Sequence, residues 1–261
     1  MTVSKAKVSA EYFWGPPQAH SDSARAIHSS REQSFFMEIH ASEGVVVTKI
    51  VGQKAYLLCL ACETDFVAQN SEFSASANAI LDIAVANDAA DVEALKAIKN
   101  AEGITVEEMV TEKSGQTGEK VELAYYARIE APYCVSYVHF NKKLGTVLGF
   151  NKAIDEEVAK KVAMQATAMA PISIDENDCP AEVVEKEKAI QLEMMKQDPK
   201  NANKPEAILE KIAEGKMRKF FEENTLLNQC VVGEKETIRE FIARADKEAT
   251  VVAYKRFALE A

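Results

Sequence analysis

Two cysteines three positions apart, Cys59 and Cys62, are the first residues whose spacing could support chemistry. A Cys-x-x-Cys pair can hold zinc or cycle through a disulfide. Zinc needs two further ligands at suitable spacing, however, and no second Cys-x-x-Cys exists. Cys134, Cys179 and Cys230 bring the total to five, an odd number that suits reduced thiols in a reducing compartment. The pair also lies at the end of an apolar run, Tyr56-Leu57-Leu58-Cys59-Leu60, which reads as a buried strand. Along one strand an odd separation points the two side chains to opposite faces. Buried thiols and no metal are therefore expected. His139 is the one histidine outside the first 40 residues, and it falls in a predicted hairpin with no evident partner for a general base. Glu222 and Glu223 read as a solvated helix face. With no P-loop, Gly-x-Ser-x-Gly, His-Glu-x-x-His or Gly-rich dinucleotide turn, the chain is expected not to be an enzyme and to need no cofactor.

Composition narrows the partners. Apolar residues at 47% and charged residues at 28% describe a globular chain, and 261 residues can bury a sizeable core. A net charge of −10 argues against nucleic acid, because phosphate binding needs clustered Lys and Arg. No run of about 18 apolar residues suggests a membrane span. The N-terminus lacks a basic-then-apolar signal. A cytoplasmic protein that acts through other proteins is the expectation.

One stretch stands out on those terms: Cys62-Glu63-Thr64-Asp65-Phe66-Val67-Ala68-Gln69-Asn70. It leaves the apolar strand and precedes a helical pattern beginning near Phe73. Thr64 can cap a short helical turn, with Asp65 at the turn's positive end. Phe66 then either folds back onto the core as a staple or projects outwards, and both readings fit the residues alone.

The elements that must position this stretch follow from periodicity. Residues 45–50, a turn at 51–54 and residues 55–60 read as a β-hairpin. Phe73, Ala77, Ile80, Leu81 and Ala84 form one apolar helix face. Helices at 91–98 and 105–112, a turn at 115–118 and a strand at 121–129 complete the pattern. A similar order then recurs. Residues 134–138 and 144–150 repeat the hairpin at an offset of about 88. Val158, Val162, Gln165, Ala166 and Met169 repeat the helix spacing at an offset of 85. The first copy thus carries about three extra residues between strand and helix, where residues 64–67 lie. A local insertion in one of two matched modules is a natural place for function.

Beyond Pro180 the chain changes character. Residues 181–198 and 205–223 are two long helical patterns joined by 199–205. Val183, Ile190 and Met194 mark a narrow seam on the first. Leu209, Ala213, Met217 and Phe220, helped by Ile208 and Ile212, mark the second. So thin a stripe suits an antiparallel arm standing off the body, with a pair of ordinary surface helices as the alternative. A short helix at 237–245 and a strand at 250–259 close the chain. Residues 1–40 show no sustained period and are expected to be a loosely ordered tail with Trp14 exposed. Their acids make them a poor transit peptide. The fold class is therefore α+β: two related modules of antiparallel hairpin plus helices, with a protruding antiparallel helical hairpin. The expected units are 41–132, then 133–179 with 225–261, and the arm at 180–224.

Thr-Asp-Phe-Val-Ala-x-Asn after a strand carrying Cys-Glu resembles the signature of the bacterial-type elongation factor Ts family. Two further stretches support the resemblance: Ile212-Ala213-Glu214-Gly215-Lys216-Met217-Arg218-Lys219-Phe220-Phe221-Glu222-Glu223 and Tyr254-Lys255-Arg256-Phe257. With gaps, it covers roughly residues 41 to 258. It implies a guanine-nucleotide exchange factor for the GTPase elongation factor Tu, supporting translation elongation. It also implies that Thr64, Asp65, Phe66 and Val67 bind the partner and disturb its magnesium site. The arm resembles the family's coiled-coil projection and is expected to pack against a partner or a second copy of the chain. Members normally begin with a three-helix module bearing Thr-Gly-Ala-Gly and Asp-Cys-Lys, and residues 1–40 do not show that motif. A GTPase-binding or self-associating module with little exchange activity is thus the alternative expectation.

Overall fold

A computed structural model of the chain describes residues 43–197 and 206–259. The segment read as a tail, Trp14 included, lies outside those residues, as does the joint at 199–205. β1 (Glu43–Val51) and β2 (Lys54–Cys62) form the first hairpin. Gly52 turns it in a left-handed conformation that carries no Cβ penalty in glycine. β2 continues through α1 (Asp65–Ala68), α2 (Ser71–Asn87), α3 (Val92–Ala97) and α4 (Val106–Thr117) to β3 (Glu122–Glu130). The second hairpin is β4 (Tyr133–Val138) with β5 (Leu144–Phe150). After it come α5 (Glu156–Met169), a 3₁₀ turn at Glu176–Asp178, α6 (Ala181–Gln197), α7 (Glu206–Asn224), α8 (Ile238–Ala245) and β6 (Val251–Ala258). The strands make two antiparallel three-stranded sheets, β1-β2-β3 and β4-β5-β6, so the expected α+β architecture holds.

The layers explain the apolar run in β2. Its even positions, Tyr56, Leu58, Leu60 and Cys62, face α2, α3 and α4. Its odd positions, Ala55, Leu57, Cys59 and Ala61, face the second sheet. A strand buried on both faces needs apolar residues throughout and shows no alternation. Cys59 and Cys62 do fall on opposite faces, each in a different core. Among the described residues no cluster of His, Cys, Asp or Glu could hold a metal.

The repeat is visible in three dimensions. α2 covers the first sheet with Phe73, Ala77, Ile80, Leu81 and Ala84, all buried. α5 covers the second with Ala159, Val162, Ala163 and Ala166. Val158 is only partly buried, and Met169, expected on the same face, is exposed at the helix end. Gln165 stands where the first copy has Ile80. Its amide donates to Cys230 O and Gln229 Oε1 and accepts from Val232 N–H, so a buried polar group is satisfied there. Residues 63–70 join β2 to α2, whereas 151–155 suffice between β5 and α5. The extra residues hold α1.

Three expectations need correction. α4 does not end near 112; it runs to Thr117, and Gly118 in the left-handed region caps it. The seam on α6 is carried by Met195, not Met194, whose side chain is 52% exposed. Glu187, Gln191 and Met195 share that face at four-residue spacing, and the two polar members hid it from an apolar pattern. His139 does have a neighbour, since Tyr137 Oη lies 3.2 Å from its Nδ1. The helical pair keeps its own small core of Ile172, Met217 and Phe220, with Val183 and Val184 against it.

Candidate functional site

The site is built where β2 ends. The Thr64 backbone is extended, as a helix N-cap requires, and its hydroxyl accepts from Val67 N–H across 3.5 Å. Asp65 takes the first helical position, where a negative charge faces the unpaired N–H groups. One turn later Asn70 starts the next helix, its side chain accepting from Glu72 N–H at 2.8 Å. The stretch is thus two consecutive helix caps, which is why Thr and Asn stand six residues apart in it.

Within this turn the side chains divide. Val67 and Ala68 pack against the first core. Asp65 is exposed, its carboxylate touched only by Gln69 Nε2 at 3.4 Å among the described residues. Phe66 is 85% exposed. Of the two readings left open for Phe66, the staple is therefore excluded and the projecting ring stands. Thr64, Asp65, Phe66 and Val67 lie together on one turn, with Val67 as its anchor.

Glu119, just beyond the α4 cap, reaches under the turn. Its Oε2 accepts from the backbone N–H of Glu63 at 3.2 Å and of Thr64 at 3.0 Å. Its Oε1 accepts from the Thr64 hydroxyl at 2.5 Å. The Cys62 thiol donates to Thr64 O at 3.3 Å. Burial, with the Glu119 charge beside it, pushes this thiol up to about 11, so it stays protonated and serves as a donor. Burial raises the Cys59 thiol further still. Neither sulfur is a thiolate at neutral pH, which agrees with the buried-thiol reading.

A second exposed ring, which the sequence reading did not single out, lies close by. Phe140 is 87% exposed in the β4–β5 turn, its ring tilted by 52° against that of His139 with centroids 4.4 Å apart. That turn docks on β1, with Val46 N–H donating to Lys142 O at 2.7 Å and Lys143 paired to Glu43. Glu43 lies opposite Cys62 in the β1–β2 register, so the Phe140 turn borders the strand end from which Thr64 departs. The signal was a Phe in a polar turn, His139-Phe140-Asn141-Lys142-Lys143.

The other two stretches that carry the resemblance are structural. On α7, Met217 and Phe220 are buried while Arg218 and Lys219 pair with Glu222 and Glu223 on the surface. On β6, Phe257 stacks on Tyr125 at 4.7 Å, Arg256 donates to Thr167 O, and Tyr254 donates to Pro171 O.

Comparison with known proteins agrees with these features. The family model described as Elongation factor TS matches residues 63–261. Elongation factor Ts of Christiangramia forsetii is 38% identical over 224 residues, covering 84% of this chain and 79% of that protein. Elongation factor Ts of Bacteroides thetaiotaomicron is 36% identical over 278 residues, covering 86% and 84%. The Porphyromonas gingivalis protein of the same name is 38% identical over 222 residues, covering 85% and 80%. A family match across three quarters of the chain, and relatives of this identity along most of their length, lead to one conclusion: the chain belongs to the elongation factor Ts family.

Proposed function

We propose that the chain is a guanine-nucleotide exchange factor that binds elongation factor Tu in its GDP form and promotes GDP release. The observation that carries this reading is the exposed Phe66 ring on a turn that is capped, anchored and braced from below. An exchange factor performs no bond chemistry. It binds the nucleotide-free GTPase better than the nucleotide-bound one, and by linkage weakens nucleotide binding by the same factor. In that role Phe66 enters the GTPase beside its magnesium site, with Asp65 next to it. A wedged ring displaces the backbone around the ion, and loss of the ion leaves the repulsion between phosphate oxygens uncompensated. Such a mechanism uses no catalytic residue or cofactor of this chain's own, and places it in the cytoplasm with its GTPase. Among the described residues, no helix is long and apolar enough to cross a membrane.

Release of a fluorescent GDP analogue from elongation factor Tu, with and without the full chain, tests the proposal. Accelerated release that depends on Phe66 supports it. Binding without acceleration would make the chain a GTPase-binding module instead. Self-association through the helical pair belongs to the same reading, since Met194 and Ile208 stay exposed there. A mass that remains monomeric across a wide concentration range removes it.

A further inference from the structure

We propose that Glu119 is the positioning residue of this site: its carboxylate fixes the turn at residues 64–67, and so sets where Asp65 and Phe66 point. The inference rests on the exchange-factor reading and deepens it.

The need for such a residue comes from the size of α1. A helix of four residues fixes its backbone dihedrals for one or two internal hydrogen bonds and does not hold itself. Val67 and Ala68 anchor one side of it on the core, but they leave free the rotation that would swing Phe66 along the surface. Glu119 removes that freedom. All three hydrogen bonds of its carboxylate go to residues 63 and 64, two to backbone N–H groups and one to the Thr64 hydroxyl. Bonds to an ionised acceptor are stronger than neutral ones. The third bond also has a consequence for the cap. A hydroxyl whose proton points at Glu119 must turn its lone pairs elsewhere, and one of them meets Val67 N–H.

Glu119 itself is held from behind. Gly118 ends α4 with φ 71°, a conformation that favours glycine, and sends the next residue back towards β2. The N–H of Glu119 donates to the Thr117 hydroxyl at 3.4 Å, while its side chain is half-buried. The C-terminus of α4 is thus a fixed post, and the Glu119 carboxylate is the arm from that post to the turn. The hydrogen bonds of the Glu119 carboxylate go to residues 63 and 64 and not to Phe66, so its influence on exchange runs through the turn.

The test is GDP release from elongation factor Tu at saturating concentrations of the full chain, for Glu119→Ala, Glu119→Gln, Phe66→Ala and the Phe66/Glu119 double alanine variant. Glu119→Ala is expected to slow release about tenfold. Glu119→Gln slows it only about threefold, because the amide oxygen still accepts from both backbone N–H groups. On the Phe66→Ala background, Glu119→Ala adds less than about twofold, since a positioning residue has nothing left to position. Amide hydrogen exchange at Glu63 and Thr64 rises in Glu119→Ala while the amides in the middle of α2 keep their protection. Release at the wild-type rate in Glu119→Ala, or losses that multiply in the double variant, overturns the proposal while leaving the role of Phe66 intact. Release at the wild-type rate in Phe66→Ala overturns the underlying reading, and the positioning role with it. Should Glu119→Ala not fold, the nearly isosteric Glu119→Gln carries the same comparison.

Discussion

At Phe66 stability and the proposed function can be separated. Its ring is 85% exposed, so folding gains little from it. Truncating a buried Phe to Ala costs about 3–5 kcal/mol. Phe66→Ala is expected instead to leave the thermal midpoint within about 1 °C. GDP release from elongation factor Tu should fall roughly thirtyfold, corresponding to about 2 kcal/mol for an interface aromatic that acts in the exchange transition state. Asp65→Ala should move the same way by less. Calorimetry beside the release assay checks both halves, and a large stability loss with unchanged release would return Phe66 to a structural role. The turn itself was legible in the sequence, because Thr64, Asp65 and Asn70 are local signals: a cap, a first-turn acid and a second cap. Glu119 was not, because its partners lie 55 and 56 residues away and no local pattern announces such a bond.

At the level of elements, two helices begin in the same way. Thr105 with Glu108 opens α4, and Thr237 with Glu240 opens α8, each as a reciprocal capping box. The backbone N–H and the hydroxyl of the Thr hold the carboxyl of each Glu below its ordinary range. A depressed folded-state pKa contributes stability that is present above the unfolded value, near pH 4.3 for a free Glu (about), and that is lost as pH falls through the lower folded value. Glu240→Gln should therefore lower the melting temperature at neutral pH, approach the parent in acid, and so flatten the acid side of the curve of melting temperature against pH. An acid limb as steep as that of the parent would remove this cap from the account. The arm makes a different prediction. Ile172, Met217 and Phe220 form a cluster of their own, and among the described residues no side chain of α6 or α7 belongs to the three cores around the sheets. Replacing residues 181–223 by a short Gly-Ser bridge should leave a core that still unfolds cooperatively, whereas loss of the whole fold would show that the arm is part of that core. The helical pair was readable from period alone, but its seam was misplaced by one residue, since a period count gives no weight to Glu187. That side chain is 1% exposed, and its Oε2 has no hydrogen-bond partner among the described residues.

Across the whole molecule, the two modules are joined sheet to sheet, and this face was the least legible part of the fold. Period-2 alternation finds a strand with one wet side, but β2 has none, so nothing in its sequence says what lies on each face. The contact between the sheets is made of small side chains and glycines: Ala55, Ala61, Ala131 and Cys134 surround Leu57, Val147 and Phe257. Thr48 of β1 donates to Ser136 of β4 at 3.1 Å across the same boundary. Small residues there let two backbones approach closely, and Gly149 is the tightest point. A Cβ built on Gly149 would meet Ala131 Cβ at 2.4 Å, and a Cβ on Gly145 would meet Val46 Cγ1 at 2.9 Å. The Ala131 methyl has no rotamer to escape into, whereas the Val46 side chain has one. Gly149→Ala should therefore force the sheets apart and destabilise by about 1–3 kcal/mol, the usual range for overpacking, with Gly145→Ala the milder of the two. Pairing Gly149→Ala with Ala131→Gly restores the space and should recover most of the loss, because the two sites share one contact. Urea unfolding of the four proteins reads this directly. If the double variant is no more stable than Gly149→Ala alone, the destabilisation comes from β5 itself, and the close approach of the sheets at Gly149 is not what requires glycine there.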